Sequence, residues 1–236
     1  MSRQEAEGFM GLQDIVAAQA STDARAEFIA KTYFHLTGAI FAFAFLVAGL
    51  MQTEFAPRLA ARMVHNWILV LGLFMVAGYV ANHWAANATS VGKQYVGLAL
   101  YIVIEAIIFL PLLLVAQAVA PDAIPSATLL TLVTFAGLTG IVFKSRRNFS
   151  FMGPMLGVAS LVALGAIVCS FFFGFSLGIG FSALMVLMAA GYVLYETSRI
   201  MNEYPVGSHV AASLALFAAI ALMFWYILRI LISMRD

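Results

Sequence analysis

Two glutamates carry the chemistry this chain could do, because each interrupts a run of residues that otherwise holds no charge. Glu105 lies in Tyr101-Ile102-Val103-Ile104-Glu105-Ala106-Ile107-Ile108-Phe109, and Glu196 in Gly191-Tyr192-Val193-Leu194-Tyr195-Glu196-Thr197-Ser198, with Arg199 just beyond the end of that run. An ionisable side chain inside such a run is costly and points by default to an ion or proton site. Glu105 falls about ten residues beyond the start of its run, about 15 Å along a helix, with no basic residue at that depth. Its carboxyl is expected to be neutral unless water reaches it. It reads either as a proton or cation site in a wet cavity, or as a protonated carboxyl bonded to a neighbouring helix, for example to Thr134. Glu196 lies near the end of its run, with Arg199 three positions on along the same helix face and Lys144, Arg146 and Arg147 on the same side of the membrane. These bases are its candidate latch partners, in a structural tie or in a gate that opens when the pair breaks. Arg229 falls near the far end of the last run, should snorkel to the interface, and matches the depth of Glu54, which suggests a structural ion pair.

Other signals lead away from catalysis and metal binding. Gly174-Phe175-Ser176-Leu177-Gly178 has the Gly-x-Ser-x-Gly spacing of serine hydrolases, but a nucleophile elbow needs a strand, a sharp turn and a helix. Here the motif joins two apolar runs. His35 and His209 belong to the opposite face from Ser176, so the motif reads as a tight turn capped by Ser176. Histidines 35, 65, 83 and 209 form no pair at three- or four-residue spacing on one helix, so no preformed zinc site is expected. Glycine-rich phosphate loops are absent, and Cys169, the single cysteine, reads as a packing residue. No catalytic site and no cofactor are expected, and a proton or a cation is the species that Glu105 would serve.

The elements that position these residues follow from composition. Hydrophobic residues make up 64% of the 236-residue chain and charged residues 10%, and the apolar residues gather into runs long enough to cross a bilayer. Seven spans are expected, over 33–51, 66–84, 95–119, 126–143, 152–173, 177–198 and 208–233. This predicts an all-α integral membrane protein, with 1–30 as a partly helical cytoplasmic tail and 31–236 as one transmembrane domain. The stretch 11–20 is mildly amphipathic, and Asp23 is placed to cap a helix entering the first span. Pro111 and Pro154 fall within spans and should kink them. Gly153/Gly157 and Gly174/Gly178 recur at a spacing that lets helices approach closely. A net charge of +1 without clustered bases argues against a nucleic-acid partner and leaves membrane lipid as the certain one.

Several segments, in order and in spacing, resemble the Bax inhibitor-1 family: Lys31-Thr32-Tyr33-Phe34-His35-Leu36, Glu105 with Ile108-Phe109-Leu110-Pro111-Leu112-Leu113, Arg147-Asn148-Phe149-Ser150-Phe151-Met152-Gly153, Tyr195-Glu196-Thr197-Ser198 and Leu228-Arg229-Ile230. The resemblance covers about residues 25 to 233. It implies a seven-helix fold with the last helix wrapped by the other six, and a role in ion homeostasis, stress survival or membrane-protein quality control. Calcium-leak members of the family pair two acids, on the sixth and seventh helices, in a proton-sharing latch. Glu196 matches the first acid and Ala219 stands at the position of the second, so the dyad lacks its partner here. That departure resembles the bacterial branch that modulates FtsH-type membrane proteases. The leading expectation is accordingly a bacterial inner-membrane protein that binds such a protease, with a pH-sensitive calcium or cation leak through Glu105 and Glu196 as the alternative.

Arg3, Arg25, Lys31, Lys93, Lys144, Arg146, Arg147 and Arg199 fall on one side of the spans, against Arg58, Arg62, Arg229 and Arg235 on the other. The positive-inside bias predicts a cytoplasmic N-terminus and an external C-terminus. A reporter active only outside the cytoplasm, fused after Asp236, should be active; activity of a cytoplasm-only reporter there would overturn the assignment.

Overall fold

In a computed structural model that describes residues 15–87 and 90–235, the described residues form eight helices and no strands. They are α1 (Thr22–Met51), α2 (Phe55–His65), α3 (Trp67–Ala85), α4 (Val91–Val119), α5 (Ala123–Ser145), α6 (Met152–Phe173), α7 (Gly178–Asn202) and α8 (His209–Ser233). All except α2 are long and apolar enough to span a membrane. Their outer surfaces fit that solvent: Phe45 and Phe173 are 75% and 79% exposed, a display that suits lipid and not water.

The ends differ from the sequence expectation in informative ways. The cap of α1 is Ser21, whose Oγ accepts from the Ala24 N–H at 3.3 Å, and Asp23 lies inside the first turn. The helix therefore starts within the expected tail. Residues 15–20 of the amphipathic stretch run as turns and an isolated bridge rather than a helix, while its residues 11–14, with the rest of 1–14, lie outside the described residues. The expected outer loop after the first span contains α2, whose Ala56, Ala60 and Met63 are buried while Arg58, Arg62 and His65 are exposed. Such an amphipathic helix suits the membrane interface. Pro154 falls in the first turn of α6, where no intrahelical N–H bond is lost, so only Pro111 interrupts a helix interior.

α8 is the centre of the bundle. Over half of its most apolar stretch is buried, the largest share of any span, and α1, α3, α4, α5 and α7 pack along it. α6 is the outlier: it leans on α7 and shares with α8 only a small cluster of Ala163, Met185 and Tyr226. An almost entirely apolar sequence makes this central position possible, since a helix buried on all sides has no polar face to hydrate.

Small residues set the closest approaches, at positions only partly anticipated. A Cβ on Gly97 of α4 would lie 2.5 Å from the Ala81 carbonyl oxygen and the Ala85 nitrogen of α3, so backbone meets backbone there. Gly153 abuts the Tyr195 ring, with a Cβ 2.9 Å from its hydroxyl, whereas Gly157 faces open space. Gly174 and Gly178 serve the α6–α7 turn instead, with φ of 68° and 62°, and no side-chain cap from Ser176 is formed. Gly97→Ala should cost about 1–3 kcal/mol, the usual range for overpacking, and lower the unfolding temperature in detergent. Gly157→Ala should leave it unchanged.

Candidate functional site

At the end of α7 the helix carries Glu196, Arg199 and Glu203 within two turns, and the chain then reverses through 203–208 into α8. That reversal brings Tyr204 back over the helix end. Arg199 Nη1 lies 3.3 Å from both Glu196 oxygens, and its Nε donates to Glu203 Oε2 at 3.3 Å. The Tyr204 hydroxyl donates to Glu196 Oε2 at 3.0 Å, and its ring lies under the guanidinium, 4.6 Å from Cζ to centroid. Tyr195 flanks the guanidinium at 5.3 Å. Burial, and next the Glu196 charge, push the Tyr204 phenol well above its ordinary range, which keeps it a donor to the carboxylate. With Glu196 only 8% exposed, charge-assisted contacts from Arg199 and Tyr204 satisfy a carboxylate that would otherwise be stranded, and the Tyr204 ring holds the guanidinium by a cation–π contact.

Of the four expected latch partners, Arg199 alone pairs with Glu196. Lys144, Arg146 and Arg147 are exposed and form no ion pair among the described residues. Arg146 is in the left-handed conformation, φ 50°, that ends α5. The loop is tied instead through neutral groups: the Phe149 N–H donates to Ser198 Oγ at 2.8 Å, and Ser198 donates to Asn148 Oδ1 at 3.3 Å.

A second chain segment bears on the same turn. The Ala17 N–H donates to the Tyr204 carbonyl at 2.9 Å and the Val206 N–H to the Ile15 carbonyl at 3.1 Å, forming a bridge between Val16 and Pro205. Ala17 is fully buried by it. Beside this turn His209 faces His35, ring centroids 4.8 Å apart. The His35 Nδ1 lies 2.7 Å from the Lys31 carbonyl, an acceptor, so this nitrogen carries the proton, while Nε2 meets the Tyr95 hydroxyl at 2.8 Å. Sequence spacing within one helix could not reveal this pair, because its members come from α1 and α8. Among the described residues, no three His, Cys, Asp or Glu side chains cluster as metal ligands would.

Glu105 lies halfway along α4, buried, with the Tyr101 phenol beside its carboxyl one turn earlier. The suggested bond from Thr134 is not formed, and Thr134 is half-buried on α5. Glu105 borders a cavity of about 980 Å³ between α3, α4, α6, α7 and α8, which also reaches Glu196, Ala219 and Arg229. Ala219, the position without the second acid, is thus part of the wall. Tyr192 crosses from α7 to α6, its hydroxyl 2.9 Å from Ser160 Oγ, and lines the same space.

The expected Glu54–Arg229 pair does not form. Glu54 is exposed just ahead of α2, where a negative charge suits the helix dipole, and Arg229 borders the cavity and has no ion-pair partner among the described residues. At that end of the bundle the pair that does form is Arg235 to Asp122, at 3.4 Å and exposed. Cys169 is exposed on α6 rather than packed. Tyr204 was the main omission from the sequence reading; an aromatic residue just past a helix end gives no hint that the chain will fold it back.

Residues 25–236 match a family model described as inhibitor of apoptosis-promoting Bax1. The chain is 28% identical over 222 residues to Bax inhibitor 1 of Schizosaccharomyces pombe, covering 93% of this chain and 81% of that protein. It is 33% identical over 113 residues to a BI1-like protein of Arabidopsis thaliana, 44% of this chain and 43% of that one. Protein lifeguard 4 of Mus musculus is 26% identical over 106 residues, 44% of each chain. The helical bundle and the match along nearly the whole chain place this multi-pass membrane protein in the Bax inhibitor-1 family.

Proposed function

We propose that this Bax inhibitor-1 chain is a non-enzymatic, gated cation leak whose closed state is held by Glu196, Arg199 and Tyr204. The observation that carries the reading is the single cavity bordering both buried acids, Glu105 at mid-helix and Glu196 at the helix end. Carboxylates and hydroxyls are the oxygen ligands a hard cation such as calcium takes. With Ala219 in place of a second acid, the closing charge on Glu196 is supplied by a base rather than shared by a proton. A cation reaching Glu196 must displace Arg199, and protonation of Glu196 would release it. The membrane would be a bacterial inner membrane, with the Glu196 end cytoplasmic.

The reading that the sequence favoured, modulation of an FtsH-type membrane protease by binding, draws its support from α6. That helix has one packed neighbour and displays Met155, Val158, Leu161 and Val162 outward, a surface another transmembrane segment could cover.

The two readings separate on one variant. In liposomes, Glu105→Gln should abolish calcium flux without altering the fold; unchanged flux together with retained pull-down of an FtsH-type protease would favour the protease reading. Tyr204→Phe removes one of the bonds to Glu196 and should raise basal flux several-fold. Ala219→Asp puts a second acid on the wall that Glu196 borders, and two such carboxyls share a proton. That variant should gain a steeper dependence of flux on pH than the natural chain. A natural chain already showing strong acid inhibition would make Ala219 irrelevant to gating.

A further inference from the structure

We infer that the cavity's outer end is a binding site for an anionic phospholipid, its phosphate on Arg229 and one acyl chain inside the bundle. The inference does not rest on ion passage. Arg229 lies 20 residues beyond His209, the first residue of α8, about 30 Å along the helix. That distance equals the hydrocarbon thickness of a bilayer, about 30 Å, so the guanidinium stands at the level of headgroup phosphates on one face. Trp225 and Tyr226, within about one turn of Arg229 on α8, and Trp67, at the start of α3, line the same cavity, as rings do near that depth.

Three observations converge on the ligand's chemistry. Arg229 borders the cavity without an ion-pair or hydrogen-bond partner among the described residues, and a planar guanidinium matches a phosphate with two parallel bonds. Behind it the walls are mostly aliphatic and aromatic, including Leu71, Phe74, Ile108 and Leu222, with Asn82 and Glu105 among the polar exceptions. The volume, about 980 Å³, lies at the top of the roughly 300–1,000 Å³ range of ligand pockets, more than a cluster of waters needs. The route of entry is lateral. α3 and α6 both wall the cavity yet form no packed helix pair, meeting where the Trp67 ring lies edge-on to Phe171, centroids 5.3 Å apart. A chain can enter from the leaflet while its headgroup stays at the interface, so the source is the bilayer rather than a free anion.

Purified full-length protein in mild detergent, mixed with phosphatidylglycerol, phosphatidylcholine of the same chains or oleate, would be read by native mass spectrometry. One phosphatidylglycerol per chain should be retained about tenfold better than phosphatidylcholine. Arg229→Gln should remove that preference and Arg229→Lys should keep most of it. Ala218→Trp, which fills the cavity from α8, should lower retention of every lipid; should that variant not fold, the two Arg229 variants decide. Equal retention of the two phospholipids, a preference that survives Arg229→Gln, or displacement of phosphatidylglycerol by oleate would each overturn the assignment.

Discussion

The buried charge of Glu196 organises one end of this bundle. A carboxylate with 8% exposure tolerates its site only if opposite charge and donors are brought to it, since the cost of an unpaired buried ion exceeds what a few apolar contacts return. Arg199 comes from the same helix at no cost in chain closure, but Tyr204 requires the chain to turn back immediately after Asn202. That turn fixes where α8 begins, gives Ile15 and Ala17 backbone partners, and sets His209 against His35. The connection from α5 to α6 is drawn to the same place through Ser198. One satisfied charge thus registers the α7–α8 turn, the segment before α1 and the α5–α6 loop against one another.

The cavity arises from the opposite circumstance, a shortage of bulk. The central helix presents Ala215, Ala218, Ala219 and Ala221 to it, and α6 stands away from α8 with contact mainly to α7. In water, such a gap between apolar helices would collapse under the hydrophobic effect; in lipid, no comparable drive closes it. Close packing is concentrated elsewhere, as between α3 and α4, where Gly97 lets two backbones touch. The fold therefore has a tight half built on α3, α4 and α8 and a loose wall at α6. Glu105, Glu196 and Arg229 border the cavity beside that loose wall.

The spans were legible in the sequence because lipid imposes a long, nearly uniform apolar signal that tertiary contacts cannot disguise. Glu105, Glu196 and Arg199 were legible for the complementary reason, as charges where none should be. What sequence could not supply was side-chain direction across helices. Glu54 and Arg229 share a depth, but α2 carries the chain away after Glu54 while Arg229 borders the interior. α2 itself was hidden because an 11-residue amphipathic stretch between two long runs reads as loop. Lys144, Arg146 and Arg147 occupy the same end of the bundle and still miss Glu196, since all three side chains are exposed and Arg199, one turn further along α7, occupies the carboxylate.

Ordered along the cavity, the charges make a sequence of unequal barriers. Glu196 is already compensated by Arg199 and Tyr204, Glu105 stands halfway with a phenol beside it, and Arg229 occupies the far end without a counter-ion among the described residues. A cation entering at that far end meets a like charge first. At about 4 Å, two unit charges repel by about 4 kcal/mol at an effective dielectric constant near 20, a barrier comparable to the attraction that a carboxylate deeper in could offer. An anionic headgroup seated on Arg229 would cancel that repulsion while its acyl chain filled the path behind it. Charge and volume then act in opposite directions on passage, and the balance between them depends on how far the chain enters between α3 and α6. A protein built this way would sense the lipid around it through the same loose wall that bounds the cavity of its buried acids.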